Sequence, residues 1–437
     1  MERVIPCVGS GGSKSHHHWR FGWQRQTACG ATSLDWSPSA IMLLLSGRPN
    51  VSSSGIKSNW TKAEFKLKFP YLHRIFFGSI FLISAGFSQA ATQLPCVKAQ
   101  DNCSEWVALD AHGSRARIYR THALSSTHDK IEHAVIVIHG QGRNADGYFR
   151  HMLAAAFLAD ALQNTIVISP RFASHNGKSC LDQLDKQEVG WNCSGADSWR
   201  SGGNQAKVAE PTLNSFDFMD AIISKLADVK AFPSLRSIVI AGHSAGGQYV
   251  NRYQFSNRMH EKVMADRNIQ MSYVIGNPSS YTYPEALRPT RAALPNNIAA
   301  DPPGYMPVAK PGTEAAFVTF NDRKNCTAFN HWPYGLENKL GFAKSISDEQ
   351  LKQQLSSRSA TYLLGELDIL PLYGFDDSCA AMAQGPTRLA RGFAYAKFVS
   401  ESLKANHKAM MVPACGHDAR CIFTSETALP VLFKSVR

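Results

Sequence analysis

The chain of 437 residues has no C-x-x-C pair among its ten cysteines and no internal repeat. It also lacks any apolar run of the roughly 20 residues that a membrane-spanning helix needs. The first absence excludes a zinc ribbon and a thioredoxin-like redox site, and the second a repeat architecture. Charge is sparse as well: 18% of residues are charged, with 34 acidic against 46 basic, for a formal net charge of +12. The basic excess is concentrated ahead of the region expected to fold, since residues 1–74 hold ten Lys and Arg against three acids. Little basic charge remains downstream, so a nucleic-acid partner has no support. A hydrophobic content of 44% describes an ordinary globular protein.

The one sustained apolar run, Ile75 to Phe87, follows Lys66, Lys68 and Arg74 and precedes Ser88-Gln89-Ala90. A basic segment, an apolar core and small residues at −3 and −1 predict a secretory signal peptide over 66–90, cleaved near Ala90/Ala91; an uncleaved anchor is the alternative. Export to the periplasm or beyond follows, with no stable membrane association after cleavage. Residues 1–65 show no periodicity and are read as an over-extended reading frame or a disordered extension. His16, His17 and His18 lie there, and three adjacent histidines make no closed metal site. Eight cysteines follow the cleavage point, an even number that favours disulfides in an exported protein. Short-range pairing predicts Cys96–Cys103, Cys180–Cys193 and Cys415–Cys421, leaving Cys326 for Cys379.

The remainder, 91–437, reads as one catalytic domain. Alternating segments around 110–114 predict a hairpin. Six short β-branched or apolar runs then recur (133–140, 164–170, 236–242, 271–277, 360–366 and 408–414). Helical spacing appears at 148–162, 213–226, 244–257, 387–403 and 427–436. The pattern predicts an α/β fold, a mostly parallel, doubly wound sheet entered through an antiparallel hairpin. Two connections, 171–210 and 278–358, exceed ordinary loops and are expected to form cap elements over one site.

Ligands of such sheets bind at the carboxyl ends of the strands, and three residue types needed for nucleophilic catalysis fall there in order. Gly242-His243-Ser244-Ala245-Gly246 matches the G-x-S-x-G elbow, in which a tight strand-to-helix turn presents the serine. A serine hydroxyl needs a base, and the base needs a carboxylate to set its tautomer. Asp368 follows the strand at 360–366, with Glu366, Asp376 and Asp377 as alternatives; His417 follows the last strand and completes the order Ser, Asp, His. A Cys415–Cys421 bridge would clamp the loop carrying that histidine. The oxyanion requires two backbone donors, assigned to Ala245 and to Gln141 in "HGQGRNADG", with Gly142 as runner-up. His139 is expected to brace that loop. Trp191, Trp199, Arg200, Trp332 and Tyr334 populate the long connections, either as a substrate-facing aromatic wall with one cation or as packing between cap and sheet.

Taken together, the HG loop, the GHSAGG elbow, the acid two residues past Glu366 and the GHD histidine resemble the α/β-hydrolase superfamily over roughly 105–437. "HGQGRNADGYF", "WRSGGN", "NPSSYTY", "CAAMAQGPTRLARG" and "GHDARCIFTS" further resemble a group of exported, esterase-like α/β-hydrolases of bacteria and fungi. The resemblance implies the α/β-hydrolase fold and a Ser244–His417–Asp368 triad, and it supplies no substrate. The expectation is an exported serine hydrolase acting on small-molecule or polymeric carboxylic esters, with no metal or organic cofactor needed. A serine peptidase or polyester depolymerase on the same triad is one alternative, and an inactive binding protein of this fold another.

Overall fold

The computed structural model describes residues 94–207, 212–290, 316–372 and 374–433; the expected extension and signal segment lie outside them. Strands β1 (Ser104–Ala108) and β2 (Arg115–Arg120) pair antiparallel across the expected turn. In that turn the Asp110 carboxylate accepts the His112 and Ser114 amides at 2.8 and 3.0 Å, a side-chain mimic of a backbone turn. Six more strands follow: β3 (His133–Ile138), β4 (Thr165–Pro170), β5 (Ser237–His243), β6 (Gln270–Gly276), and then β9 (Ala360–Gly365) and β10 (His407–Val412), after a small ribbon of β7 (Leu287–Pro289) and β8 (Phe317–Thr319). The main sheet has the order β1-β2-β4-β3-β5-β6-β9-β10 and only β2 runs against the rest.

The near-continuous apolar strands have a physical reason in the layering. Successive side chains point to opposite faces, so β3 gives Ala134, Ile136 and Ile138 to one core and Val135 and Val137 to the other. Strand β5 divides Ile238 and Ile240 from Val239 and Ala241 in the same way. Helices cover both cores. They are α1 (Ala145–Leu158), α2 (Ser215–Leu226), α3 (Ala245–Ser256), α4 (His260–Arg267), α5 (Asp348–Ser357), α6 (Cys379–Met382), α7 (Arg388–Ser402), α8 (Ala419–Phe423) and α9 (Leu429–Leu432). The first, eighth and ninth of these pack on the Val135 face, the second, third and seventh on the Ile136 face.

The strands lie within a residue or two of their expected places. The helices differ more. Helix α1 begins at Ala145, three residues early, and α9 is a single turn where a longer helix was expected, with 434–437 outside the described residues. Helices α4, α5, α6 and α8 were not expected, all of them short; Ser347 caps α5 by accepting the Gln350 amide at 3.2 Å.

All four expected disulfides are formed, Cys96–Cys103, Cys180–Cys193, Cys326–Cys379 and Cys415–Cys421, with Cα separations between 5.5 and 6.1 Å. The third ties the second long connection to α6. Among the described residues no helix is long and apolar enough to cross a membrane.

Two expectations follow. Native protein from an oxidising compartment should show almost no reactive thiol, and full reduction should lower its thermal midpoint, each lost bridge costing about 2–4 kcal/mol; a native thiol count near eight would contradict the pairing. Acid should also destabilise the fold. Burial pushes the imidazoles of His122, His139 and His407 down to about 4. An unfolded chain binds these protons near pH 6.5, so stability present above pH 6.5 is lost as pH falls towards 4, by roughly 3 kcal/mol for fully buried His139. Asp220 acts in the opposite sense, since burial raises its carboxyl to about 7. Thermal unfolding between pH 7.5 and 4.5 should therefore show a falling midpoint, and a steeper fall in Asp220→Asn.

Candidate active site

Strand β5 delivers the chain to a turn that only a tightly held residue can make. Ser244 has φ 60° and ψ −120°, a region that costs a non-glycine residue roughly 1–3 kcal/mol. The Ser244 amide donates to the Gly276 carbonyl at 2.9 Å, and the first turn of α3 crosses the neighbouring strands at backbone contact. A Cβ on Gly246 would collide with the carbonyl of Ile138, and one on Gly242 with the carbonyl of Gly246. The glycines flanking the serine are thus required by the close approach of helix and sheet.

Two further loops bring their side chains to Ser244. His417 Nε2 lies 2.9 Å from Ser244 Oγ, and His417 Nδ1 lies 2.8 Å from Asp368 Oδ2. With Nδ1–H donating to the carboxylate, Nε2 is left as the acceptor for the serine hydroxyl. Asp368 is only 2% exposed. Its amide donates to Gly365 O at 3.1 Å, and its Oδ1 accepts from Arg388 Nη1 at 3.4 Å. Among the described residues none of the alternatives forms an ion pair with His417. Glu366 accepts the Ala414 amide, Asp376 accepts Tyr334 and Ser378, and Asp377 lines a pocket. The histidine loop is closed by Cys415–Cys421 and tied to its surroundings by Leu367 N–H to Cys415 O at 2.9 Å and Asn277 Nδ2 to Gly416 O at 3.2 Å.

The loop after β3 passes over the serine, since a Cβ on Gly140 would stand 3.7 Å from Ser244 Cβ. His139 ties it down: Nδ1–H donates to Gly140 O at 2.9 Å while Nε2 accepts the Phe172 amide at 3.0 Å. Arg143 adds a clamp, donating to Gln141 O at 2.7 Å and to Asp182 Oδ2 at 2.6 Å. Among the described residues no acceptor takes the amides of Gln141 or Ala245. Both are therefore free to donate to an oxygen that develops charge beside Ser244. Behind them His243 is fully buried, its ring centroid 4.6 Å from that of His417, and burial holds its imidazole far below the usual range. Neither His243 nor Arg388 stood out in the sequence, because nothing in their spacing separates them from core or surface residues.

A pocket of about 520 Å³ opens beside this cluster, lined by Gln141, Arg200, Gln248, Arg252, Trp332 and Tyr334 among others. Arg200, Trp332 and Tyr334 thus face it, both long connections contributing. Trp191 and Trp199 do not. They are 0% and 1% exposed, Trp191 stacked on Phe218 and Trp199 on Phe172. Their positions match packing between the connection and the sheet, and Trp199 lies 4.8 Å from the His139 ring that braces the loop. Among the described residues no three His, Cys, Asp or Glu gather closely enough to hold a metal ion.

Comparison with known proteins supplies the family. The sequence model of the Alpha/beta hydrolase family matches residues 135–428. Among solved structures, the chain is similar to poly(aspartic acid) hydrolase-1 from Sphingomonas sp. KT-1, at 21% identity over 76% of this chain and 98% of that one, TM-score 0.47. It is similar also to LpqC, a poly(3-hydroxybutyrate) depolymerase from Bordetella parapertussis, at 18% identity over 74% and 85%, TM-score 0.45. A third is EstE1, a carboxylesterase cloned from a metagenomic library, at 12% identity over 78% and 88%, TM-score 0.36. No curated protein matches. With the family model spanning about two thirds of its length and the strand order described above, the chain belongs to the α/β hydrolase family.

Proposed function

We propose that the protein is an exported serine hydrolase that cleaves carboxylic esters through an acyl-enzyme intermediate. One observation carries the reading: the unbroken chain of hydrogen bonds from Ser244 Oγ through His417 to buried Asp368, with the serine held on a positive-φ turn. In the reaction, His417 Nε2 takes the serine proton as Oγ attacks the acyl carbon. The Gln141 and Ala245 amides hold the oxyanion, each donor of this kind contributing about 2.7–4 kcal/mol. His417 returns the proton to the leaving alcohol, then deprotonates water, which releases the acid and restores the serine. Asp368 stays ionised throughout and stabilises the imidazolium. Export is supported by the four disulfides and by the signal-like segment 66–90.

Ser244→Ala should lower hydrolysis of short-chain esters by at least 10³-fold, with the thermal midpoint close to that of the native protein, since alanine removes one hydroxyl and one hydrogen bond. A fluorophosphonate should label the native protein at Ser244, located by peptide mass spectrometry. An intact rate in the alanine variant, or an adduct elsewhere, would remove the mechanism. Chromogenic peptides in the same assay distinguish a peptidase, which would cleave them faster than esters.

Arg388→Met should lower kcat by roughly 10-fold with little change in KM, because the guanidinium compensates the buried Asp368 charge and touches no substrate. Circular dichroism checks that the variant folds, and a change confined to KM would contradict this positioning role.

A further inference from the structure

We propose that the pocket beside Ser244 receives an anionic group, and that the ester this enzyme cleaves carries a carboxylate held by the Arg200 guanidinium. The inference rests on the ester-hydrolase reading above and names the substrate class of that same site.

The pocket is laid along α3. Ser244, Gln248 and Arg252 are four residues apart in turn and so lie on one face of the helix, Gln248 and Arg252 about 6 and 12 Å along the axis from the serine. Both line the pocket, with Gln141 of the oxyanion loop at its other wall. The pocket thus reaches the loop that carries Gln141 and, at Gln248, comes within about one helical turn of the serine.

Two cations, Arg200 and Arg252, line the pocket together with Asp376 and exposed Asp377, and among the described residues neither carboxylate forms an ion pair with either guanidinium. Arg252 is 1% exposed and donates only to neutral acceptors, Arg200 O at 3.1 Å and the hydroxyls of Thr282 and Ser280 at 3.4 Å each. Burial, and then the neighbouring Arg200, push its guanidinium down to about 9. Arg200 lines the same pocket, and among the described residues its side chain makes no hydrogen bond or ion pair. Burial disfavours its charge, with Asp376 and Tyr334 acting in its favour from a distance. The Asp376 carboxylate is held instead by Tyr334 Oη at 2.8 Å, Ser378 Oγ at 2.7 Å and the Ser378 amide at 3.1 Å, and makes no ion pair with Arg200.

Other arginines of this protein show what is missing. Arg388 faces Asp368, Arg358 faces Glu261, Arg143 faces Asp182 and Arg171 faces Glu188. A half-buried guanidinium that faces a cavity with its donors unused is suited to a planar, two-oxygen anion, which it can bind through two parallel hydrogen bonds. A carboxylate several bonds from the scissile carbonyl meets both requirements, charge and reach.

The test compares matched pairs of esters. One series is the monomethyl esters of succinate, glutarate and adipate, with the anion on the acyl side; the other is the acetyl esters of 4-hydroxybutanoate and 6-hydroxyhexanoate, with the anion on the alcohol side. Each is paired with the analogue in which the free carboxylate is a primary carboxamide. At the best chain length kcat/KM should favour the carboxylate at least 10-fold. Arg200→Gln should reduce that ratio 10-fold or more, and Arg200→Lys should restore part of it. A ratio at or below one in the native enzyme, or a preference that survives Arg200→Gln, would overturn the proposal.

Failure of the ester reading is separable. If no ester is turned over, glutarate and adipate are titrated calorimetrically into the native protein and into Arg200→Gln. Binding that is lost in the variant supports the anion site without the esterase, and no binding to either protein overturns it.

Discussion

The backbone contact between the first turn of α3 and strands β3 and β6 governs the arrangement of the whole site. Gly246 must lie against the carbonyl of Ile138, and Gly242 against that of Gly246, for the helix to start where it does. The chain reverses at Ser244 with a positive φ, and the Ser244 amide is held by Gly276 at the end of β6. A strained turn of this kind persists only where its surroundings over-determine it. Here the surroundings are strands buried on both faces, whose rigidity fixes Oγ relative to loops leaving β3, β9 and β10. Side chains placed on such elements are held more closely than side chains on free loops.

The long connections are held by a different device. Loop backbone is polar and cannot be buried without partners, and the family of buried arginines supplies them. Arg288 donates to Leu287 O and Phe329 O at 2.7 Å each, Arg391 to Gly385 O at 2.7 Å and Asp376 O at 2.9 Å, and Arg388 to Leu372 O at 2.8 Å. Each guanidinium offers five donors in a fixed plane, so one side chain can tie several carbonyls that no strand or helix would satisfy. The consequence is positive charge brought inside on the cap side of the sheet, partly without carboxylates to match it.

Much of this was legible in the residues. Apolar runs predict the later strands because those at the centre of the sheet, buried on both faces, have no polar side to confuse the period. The order Ser244, Asp368, His417 predicts which loops meet, since strand ends on one sheet edge are brought together by topology alone. The even set of cysteines led to the four pairs found. The aromatic residues of the long connections were harder: Trp191 and Trp199 carry no sign in their spacing that separates a pocket wall from a core stack, and only the packing on Phe218 and Phe172 decides it. The arginines were illegible for the same reason. Arg252, Arg288, Arg358, Arg388 and Arg391 are among the largest fully buried side chains, although arginine is almost never fully buried unless paired, and their partners are mostly carbonyls that a sequence does not place.

The histidines near the serine differ in what their neighbours permit. His139 has one nitrogen against a carbonyl and the other against the Phe172 amide, so a second proton would face a donor. His243 is enclosed, with Tyr148 Oη at 3.2 Å from Nδ1 and the ring of His417 beside it. A charge on either would oppose a charge on His417, and burial keeps both neutral. His417 alone among them has a carboxylate at hydrogen-bond distance, with side-chain exposure of 8%. The surroundings therefore leave one imidazole on which a transient positive charge is stabilised. Arg388 completes the balance from the far side of Asp368, at 3.4 Å against 2.8 Å for His417. The carboxylate is thereby compensated when the imidazole is neutral, and its closer contact is kept for the group whose charge changes during the proposed reaction.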